Sequence, residues 1–427
     1  MTAPAVTDTG TQRLAPLVEP GRELSDAELD RYARHLALPG LGVEGQRRLA
    51  AARVLVVGAG GLGSPVLLYL AAAGVGTIGV VDDDVVDVTN LQRQVLHGQA
   101  DLSRPKTASA RDAIAEVNPH VEVVEHPVRL DRDNVLTVLG DYDLVLDGAD
   151  NFPTRYLVSD AAEILGLPVV WGSIDRFDGQ VSLFWGAPGG PERGPTYRDV
   201  FPVPPPPGTV PDCATGGVLG VLCGAVGSAM ATEAIKLVTG LGTSLLGRLA
   251  VYDALALDWR ELTVRPDPSR EPVTALLPGD DAYAAFCGLG PSGLGPSGLG
   301  PSGLRPTASG PGEVAGTLAG DPQIDAADAR ALLVVDPPAA LVDVREEWEA
   351  RLRPVDGARL VPSGTFLGTA GSDPDETARQ ALAALPADRP VLLVCAAGPR
   401  STAVAQVARA HGVDARSVVG GVPALLG

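Results

Sequence analysis

A valine-rich apolar run that ends in a glycine-rich turn constrains the fold of this chain most. Residues 53–57 read RVLVV, residues 58–63 read GAGGLG, and an apolar stretch with Pro65 in its first turn begins at Ser64. A buried strand joined in this way to a helix is typical of doubly wound α/β folds. Four further apolar runs, separated by helical stretches, continue the pattern: TIGVVD, VEVVEHP, DLVLDGAD and PVVWGS. The sequence therefore predicts a doubly wound α/β domain.

The chain divides into two domains with a tail and a linker. Residues 1–21 are polar and contain proline, and we interpret them as an N-terminal tail. The first α/β domain is assigned to residues 22–280, and its first helix is predicted over 25–36 by a capping signature. Residues 281–320 contain PSGLG, PSGLG and PSGLR in tandem and are interpreted as a Gly/Pro/Ser-rich linker. Residues 321–427 show a second α/β pattern and form a separate domain.

The composition argues against several classes of partner. The 427 residues contain 33 Lys and Arg against 52 Asp and Glu, a net charge of −19, whereas nucleic acids and anionic membranes attract clustered cations. Two uncharged stretches, 64–81 and 213–232, are interrupted by glycines and are interpreted as buried core. The four cysteines are too few and too scattered for a disulfide framework, and no secretory signal is visible. We expect a cytoplasmic protein with no nucleic-acid and no membrane partner.

The glycine-rich turn carries the first candidate binding residues. Gly58, Gly60 and Gly63 let the backbone approach a phosphate at a helix N-terminus, and Asp82 at the end of the next strand can bind ribose hydroxyls. Taken alone, this pattern favours a nicotinamide-dependent oxidoreductase.

Three charged residues further along favour a triphosphate instead. Arg93 and Lys106 can bind the β- and γ-phosphates, and Asp150, just beyond a strand end, can bind Mg²⁺. A surface ion pair is the alternative for each residue taken alone, but their joint occurrence favours an ATP site.

Seven motifs, in this order, resemble those of adenylating enzymes that activate small β-grasp sulfur carriers, the molybdopterin-synthase and thiamine-pathway adenylyltransferases related to ubiquitin E1 enzymes. The resemblance runs from about Ser25 to Pro268, and the motifs read RYARH, GAGGLG, DDDVVDVTNLQRQ, RPK, DGADN, GQVSLF and ATEAIKLVTG. The resemblance implies a Rossmann-like adenylating domain that uses ATP and Mg²⁺ on a carrier protein ending in Gly-Gly. It also implies a homodimer, in which Arg34 reaches into the partner protomer's site. By motif, the ligands it implies are Asp82 for ribose, Asn90, Arg93 and Lys106 for the triphosphate, Gly61 against the phosphates and Asp150 for Mg²⁺.

The same resemblance implies a role for Cys213. A cysteine at the position of Cys213 lies in a crossover loop in this family and handles the activated carrier as a thioester or acyl-disulfide. An exposed cysteine without a role is the alternative.

The resemblance also bears on zinc. Family members bind zinc through two CxxC pairs, but the corresponding segments here read TYRD at 196–199 and REPV at 270–273. Because all four thiolate ligands are missing, we predict no structural zinc. Cys223 and Cys287 are interpreted as packing residues.

The second domain contains a cysteine loop between an apolar strand and a helix. Cys395 begins CAAGPRS, and a loop of backbone N–H groups around a cysteine forms a cradle for an anionic sulfur. From about Asp321 onward the chain resembles rhodanese-like sulfurtransferases, with DVRE at 343–346 and GGV at 420–422 in their usual places. The resemblance implies a persulfide loop made of Cys395, Ala396, Ala397, Gly398, Pro399 and Arg400. Asp343 and Arg345 are interpreted as a structural pair.

Together these patterns predict an enzyme that adenylates a sulfur carrier and supplies the sulfur from its own C-terminal domain, giving the carrier thiocarboxylate. The carrier's pathway, molybdopterin, thiamine or another, stays open, as does the sulfur donor, thiosulfate or the persulfide of a cysteine desulfurase. A binding or regulatory homologue without turnover is the alternative, motivated by the missing zinc ligands.

Overall fold

The chain folds as two units, Met1–Gly300 and Pro301–Gly427. The computed structural model describes residues 14–187, 194–206, 217–279, 281–289, 321–367, 374–383, 385–386 and 389–426. Each unit contains its own sheet with helices packed on it. The α/β class predicted from the sequence is therefore confirmed for both.

The first unit is built on one sheet of eight strands. They are β1 (Arg53–Val57), β2 (Thr77–Val81), β3 (Glu122–His126), β4 (Leu144–Asp147), β5 (Val169–Asp175), β6 (Asp178–Phe184), β7 (Arg248–Asp253) and β8 (Asp258–Thr263). The spatial order is β3-β2-β1-β4-β5-β6-β7-β8, with the first five strands parallel and the last three antiparallel. The chain moves from β1 to β2 on one side and later to β4 on the other. Ligands of open α/β sheets bind at such a switch point.

Helices cover both faces of this sheet. They are α1 (Asp26–Arg31), α2 (Ala33–Leu36), α3 (Gly42–Ala51), α4 (Gly63–Ala73), α5 (Lys106–Val117), α6 (Val135–Gly140), α7 (Phe152–Leu165), α8 (Tyr197–Val200), α9 (Gly220–Thr239) and α10 (Ala282–Phe286). Val54 and Val56 of β1 join a core with α4 and α9, whereas Leu55 and Val57 join a core with α7. Burial of both faces explains why β1 is apolar at consecutive positions.

The longest helix, α9, is by length and composition apolar enough to span a membrane. In this structure it packs against α3, α4, β5 and β6, and Leu222, Val226, Met230 and Leu237 are buried in the core. These contacts are typical of a core helix. The other uncharged stretch forms α4 and β2, with the chain turning at Gly74, as the glycines predict.

The N-terminal helix is predicted correctly at its start but is interrupted. Ser25 caps α1 and forms a capping box with Glu28. The predicted helix over 25–36 breaks at Tyr32, whose hydroxyl accepts a hydrogen bond of 2.9 Å from the Asn118 side chain. Burial of this phenol holds Tyr32 outside both α1 and α2.

Two short stretches assigned to the tail and the linker belong to the first unit instead. Leu14, Leu17 and Val18 pack against its core, and the Leu17 amide donates to the Leu237 carbonyl. Residues 281–289 contain α10, where Tyr283 is buried and donates a hydrogen bond of 2.8 Å to Asp160. Burial of apolar side chains keeps both stretches on the domain. The PSGLG repeats lie outside the described residues.

The second unit has a parallel five-stranded sheet. Its strands are β9 (Gln323–Ile324), β10 (Ala340–Asp343), β11 (Arg359–Leu360), β12 (Val391–Val394) and β13 (Ala415–Val418), in the order β11-β10-β12-β13-β9. Its helices are α11 (Ala326–Leu333), α12 (Glu347–Leu352), α13 (Gly364–Leu367), α14 (Pro374–Leu382), α15 (Pro399–Ala410) and α16 (Gly421–Leu426). The central strand β12 is fully buried and leads into the cysteine loop. The carboxyl ends of β12 and β13 meet at one edge, which places the CAAGPRS and GGV segments together.

Candidate active sites

The glycine-rich turn of the first unit passes from β1 into α4 at the switch point of the sheet. A Cβ on Gly63 would overlap the Gly58 carbonyl, and a Cβ on Gly61 would lie 2.8 Å from the Cys223 sulfur. Only glycine therefore fits these two positions of the described turn. Gly58, Gly60 and Gly61 line a cleft of about 760 Å³, whereas Gly63 is buried and does not line it. The predicted phosphate-binding turn thus borders an open cleft.

Asp82 lies at the end of β2 on the wall of this cleft. Its carboxylate accepts hydrogen bonds from the Ala59 amide at 2.8 Å and the Asp84 amide at 2.9 Å. Burial raises the pKa of Asp82, and the positive charge of Lys106 opposes that shift. The side chain is thereby fixed beside the glycine-rich turn, where a nucleotide ribose is expected.

Two cations face the same cleft. The Lys106 ammonium is buried, 2.8 Å from Asp84 and 3.8 Å from Asp82. Arg93 lines the cleft beside Gly61, and its guanidinium donates to the Thr89 carbonyl at 3.2 Å. These groups suit an anionic ligand, which Lys106 can bind by giving up its contact with the exposed Asp84.

Carboxylates that could bind a divalent cation lie on both sides of the cleft. Asp150 is exposed and lines it, as predicted. Oxygens of Asp82, Asp83 and Asp84 lie within 4.8 Å of one another and form a second acidic group there. A phosphate-bound Mg²⁺ takes one or two carboxylates together with phosphate oxygens and water, so these residues fit an ATP–Mg²⁺ substrate.

Besides Gly63, two described residues assigned to the site do not line the cleft of their own chain. The Asn90 side chain instead accepts a hydrogen bond of 3.2 Å from the Asp87 amide and caps a short 3₁₀ turn. Arg34 is exposed on α2. Its exposure is compatible with a role in a partner protomer's site, and that role stays a prediction.

The other wall of the cleft is apolar and was not predicted. Trp171, Tyr197, Phe201 and Cys287 line it together with Arg155, whose Nε donates to the Ala149 carbonyl at 3.0 Å. The Arg155 guanidinium lies 5.7 Å from the centre of the Trp171 ring. Burial raises the pKa of Cys287 to about 11. Arg155 is the last residue of the DGADNFPTR segment. Its place in this motif was the sequence signal that could have predicted its presence in the cleft.

The two segments that align with the family's zinc ligands lie side by side. The Arg270 guanidinium is 2.9 Å from Asp199, 2.9 Å from Glu163 and 2.8 Å from the Thr196 hydroxyl. Asp199 is fully buried, and Arg270 is 15% exposed. We call these four residues the Arg270 cluster. It joins TYRD to REPV by ion pairs where the family uses a metal.

In the second unit, the residues after β12 wrap around the sulfur of Cys395. The Gly398 amide lies 3.1 Å and the Ser401 hydroxyl 3.4 Å from this buried sulfur. Burial raises the pKa of the Cys395 thiol, but hydrogen bonds from Ser401, Ala397 and Gly398 outweigh it and leave the pKa below its usual value. The loop therefore favours a thiolate, which is the nucleophilic form of the residue.

The neighbouring GGV and DVRE segments support this loop in different ways. The Val422 amide donates to the Cys395 carbonyl at 2.9 Å, and a Cβ on Gly421 would overlap that carbonyl. Arg345 and Asp343 form a buried ion pair at 2.6 Å. Asp343 and Arg345 are therefore paired with each other, as a structural role requires.

The remaining cysteines separate into two cases. Cys213 lies outside the described residues, so its predicted role stays a prediction. Cys223 is buried in α9 against the glycine-rich turn, as a packing residue would be. Cys287 is buried in a hydrophobic cluster and also borders the cleft.

A nucleotide-type cleft in one unit and an amide-cradled thiolate in the other define a two-domain enzyme that combines nucleotide chemistry with sulfur handling. Residues 32–273 match the model of the ThiF family, and residues 325–426 match the model of the rhodanese-like domain. The chain belongs to the ThiF family and carries a C-terminal rhodanese-like domain.

Comparison with relatives agrees with this assignment. Over 413 residues, 96% of either chain, the protein is 49% identical to the probable adenylyltransferase/sulfurtransferase MoeZ of Mycobacterium tuberculosis. It is 54% identical over 265 residues to the sulfur carrier protein adenylyltransferase of Thermus thermophilus, covering 61% of this chain and 97% of that one. A crystal structure of E. coli MccB with MccA-N7isoASN shares the fold at a TM-score of 0.51, with 19% identity over 59% of this chain and 75% of that one.

The resemblance inferred from the motifs is thus confirmed. The protein is an enzyme, an adenylyltransferase and sulfurtransferase. A non-catalytic binding or regulatory role is not favoured.

Proposed function

We propose that this enzyme adenylates the C-terminal Gly-Gly carboxylate of a small β-grasp sulfur carrier and converts the product to a thiocarboxylate with sulfur from Cys395. The observation that carries the first step is the convergence of the glycine-rich turn, Asp82, Arg93, Lys106 and Asp150 on one cleft. The sulfur carrier named in the Thermus thermophilus relative supports the choice of substrate.

In the first step, a carboxylate oxygen of the carrier attacks the α-phosphorus of ATP and pyrophosphate leaves. Arg93 and Lys106 neutralise phosphate charge, and Asp150 would hold the accompanying Mg²⁺, which would supply further positive charge to the phosphates. Positioning and charge neutralisation dominate such transfers. A Gly-Gly tail has no side chains and can pass along the apolar wall formed by Trp171 and Tyr197 to reach the phosphates.

In the second step, the outer sulfur of the Cys395 persulfide attacks the acyl-adenylate, AMP leaves, and the carrier is held on Cys395 as an acyl-disulfide. A second thiol then attacks the Cys395 sulfur, so that the S–S bond to the carrier breaks, the thiocarboxylate leaves, and the disulfide formed on Cys395 is reduced by an external thiol. The thiolate-favouring loop supports Cys395 as the carrier of this sulfur. Cys213 handles the activated carrier between the two steps. We propose a cytoplasmic homodimer in which Arg34 completes the partner's cleft, and a carrier of molybdopterin or thiamine type.

Exchange of labelled pyrophosphate into ATP tests the first step. It should require Mg²⁺ and a carrier ending in Gly-Gly, and Asp150→Ala should lower it by about 10²-fold because a charge-stabilising group is lost. Asp133→Ala removes one acidic charge from a residue that does not line the cleft and should leave the rate unchanged. Exchange at the wild-type rate in Asp150→Ala would contradict its assignment.

A mixed dimer tests the action of Arg34 across the interface. Arg34→Ala and Asp150→Ala subunits, each strongly impaired as a homodimer, should together recover one working site. No recovery in a verified heterodimer would show that Arg34 acts in its own chain or not at all.

A further inference from the structure

The arginine of the persulfide loop is already bound to a carboxylate. Arg400 Nη1 and Nη2 donate to Glu349 Oε2 and Oε1 at 2.7 and 2.6 Å, a two-bond pair between α15 and α12. Both side chains are largely buried, with 23% of Arg400 and 13% of Glu349 exposed. Such bidentate pairs are among the strongest hydrogen-bonded contacts in proteins.

Glu349 is also held in place by the start of its own helix. One of its oxygens accepts the Glu346 amide at 3.0 Å, which closes a capping box at the start of α12. The pair with Arg400 lowers the pKa of Glu349, so this carboxylate is ionised at neutral pH. The negative charge beside the loop is therefore a fixed part of the structure.

The charges around the loop oppose an incoming dianion. Glu349 above all, which contacts the guanidinium directly, and then Cys395 and Glu346 raise the pKa of Arg400. The second arginine nearby, Arg345, is bound to Asp343. Among these described groups, two arginines face three carboxylates, and the Cys395 thiolate adds a further negative charge.

Resting on the proposed function of Cys395, we propose that Glu349 determines the donor preference of the persulfide loop, by neutralising Arg400 and so disfavouring a dianionic donor such as thiosulfate. Loading from thiosulfate requires that the Cys395 thiolate attack the outer sulfur. A new S–S bond to Cys395 forms, the S–S bond of thiosulfate breaks, and sulfite leaves with the electron pair. The Cys395 thiolate and thiosulfate are both anionic, so their approach needs a nearby cation. Arg400 could supply that charge, but it is already paired with Glu349. A donor with less negative charge does not need that cation.

Sulfur transfer to cyanide, measured on the full chain with two donors, tests the proposal. Thiosulfate is a dianion, and benzenethiosulfonate delivers the same sulfane sulfur from a monoanion. Glu349→Gln keeps the shape of the side chain and one acceptor oxygen but removes the charge and the second hydrogen bond from Arg400. It should raise kcat/KM for thiosulfate about 10-fold, and the ratio of thiosulfate to benzenethiosulfonate should rise several-fold.

Glu347→Gln is the matched control. Glu347 is an exposed acid on the same helix, and its substitution should change kcat/KM for both donors by less than about twofold because exposed charges are screened. An unchanged donor ratio in Glu349→Gln, or an equal change in the two variants, would contradict the proposal.

The unmodified enzyme gives an independent readout that needs no substitution. Because like charges repel less as salt rises, kcat/KM for thiosulfate should increase with ionic strength more than that for benzenethiosulfonate. A decrease with salt would mean that Arg400 attracts the donor, and would overturn the proposal. No turnover with either donor would contradict the proposed function itself, and this outcome is distinct from an unchanged ratio.

Discussion

The two proposed anion sites of this protein are built in opposite ways. In the nucleotide cleft, charged side chains such as Arg93 and Lys106 come from separate segments and meet around a glycine-rich turn. In the persulfide loop, backbone amides and one hydroxyl surround the sulfur of Cys395, and the single arginine of the loop is paired with Glu349. A triphosphate carries several charges and needs cations, whereas a single buried sulfur anion is stabilised by oriented dipoles. The substrate's charge thus explains the choice of ligand groups.

The largest effect should follow removal of the thiol. Cys395→Ala should lower sulfur transfer from thiosulfate by at least about 10³-fold, because the nucleophile of the reaction is gone. Pyrophosphate exchange should stay within about twofold of wild type, since adenylation uses no thiol. Cys287→Ala, a second buried thiol, is the control and should keep sulfur transfer. Persistent sulfur transfer in Cys395→Ala would break the comparison, because the loop would then not be the sulfur site.

For Lys106 we expect the opposite result, with pyrophosphate exchange impaired and sulfur transfer retained. Lys106→Met should lower pyrophosphate exchange by about 10²-fold, because a cation preorganised for phosphate is lost, while sulfur transfer to cyanide should stay unchanged. Arg111→Met removes one positive charge from the exposed side of the same helix and should leave both rates unchanged. If Arg111→Met were as impaired as Lys106→Met, net charge rather than the cleft would account for the loss.

The difference between the two sites also explains what could be predicted from the sequence. The persulfide loop is contiguous, so CAAGPRS was sufficient to predict its residues and their arrangement. In the cleft, the motifs predicted Asp82 and Lys106, but the apolar wall with Trp171 and Tyr197 depends on tertiary packing that no local pattern contains. The partner of Arg400 was missed for the same reason: Glu349 lies on another helix, 51 positions away in sequence.

A third prediction concerns the Arg270 cluster. Its ion pairs stabilise the fold, whereas the charges of the cleft and of the persulfide loop are proposed to act on ligands. Arg270→Met should destabilise the first unit by about 3 kcal/mol, because the buried carboxylates of Asp199 and Glu163 lose their shared cation. Arg260→Met, at an exposed arginine with looser contacts to Asp253 and Asp258, should cost less than about 1 kcal/mol. Chemical denaturation of both variants measures the difference.

Metal analysis of the same preparations separates this cluster from a zinc site. We expect well under one zinc per chain, and a chelator should leave the Tm of the unmodified protein unchanged. Stoichiometric zinc would show that other residues bind it and that the alignment of TYRD and REPV with the family's ligands needs revision.

The smallest effect tests whether the loop depends on the position of its backbone. Gly421 has a φ of +62° and lies against the Cys395 carbonyl, where a Cβ has no room. Gly421→Ala should push the two segments apart and misalign the amides around the sulfur, lowering sulfur transfer about 10-fold, the scale of losing part of an electrostatic site. Gly357→Ala is matched in backbone, with a φ of +75°, but its Cβ would meet nothing within 4 Å. It should cost only about 1 kcal/mol of stability and leave turnover intact. Equal turnover in the two variants would show that contact with the GGV segment is not needed to hold the amides in place, and that the loop forms the sulfur site by itself.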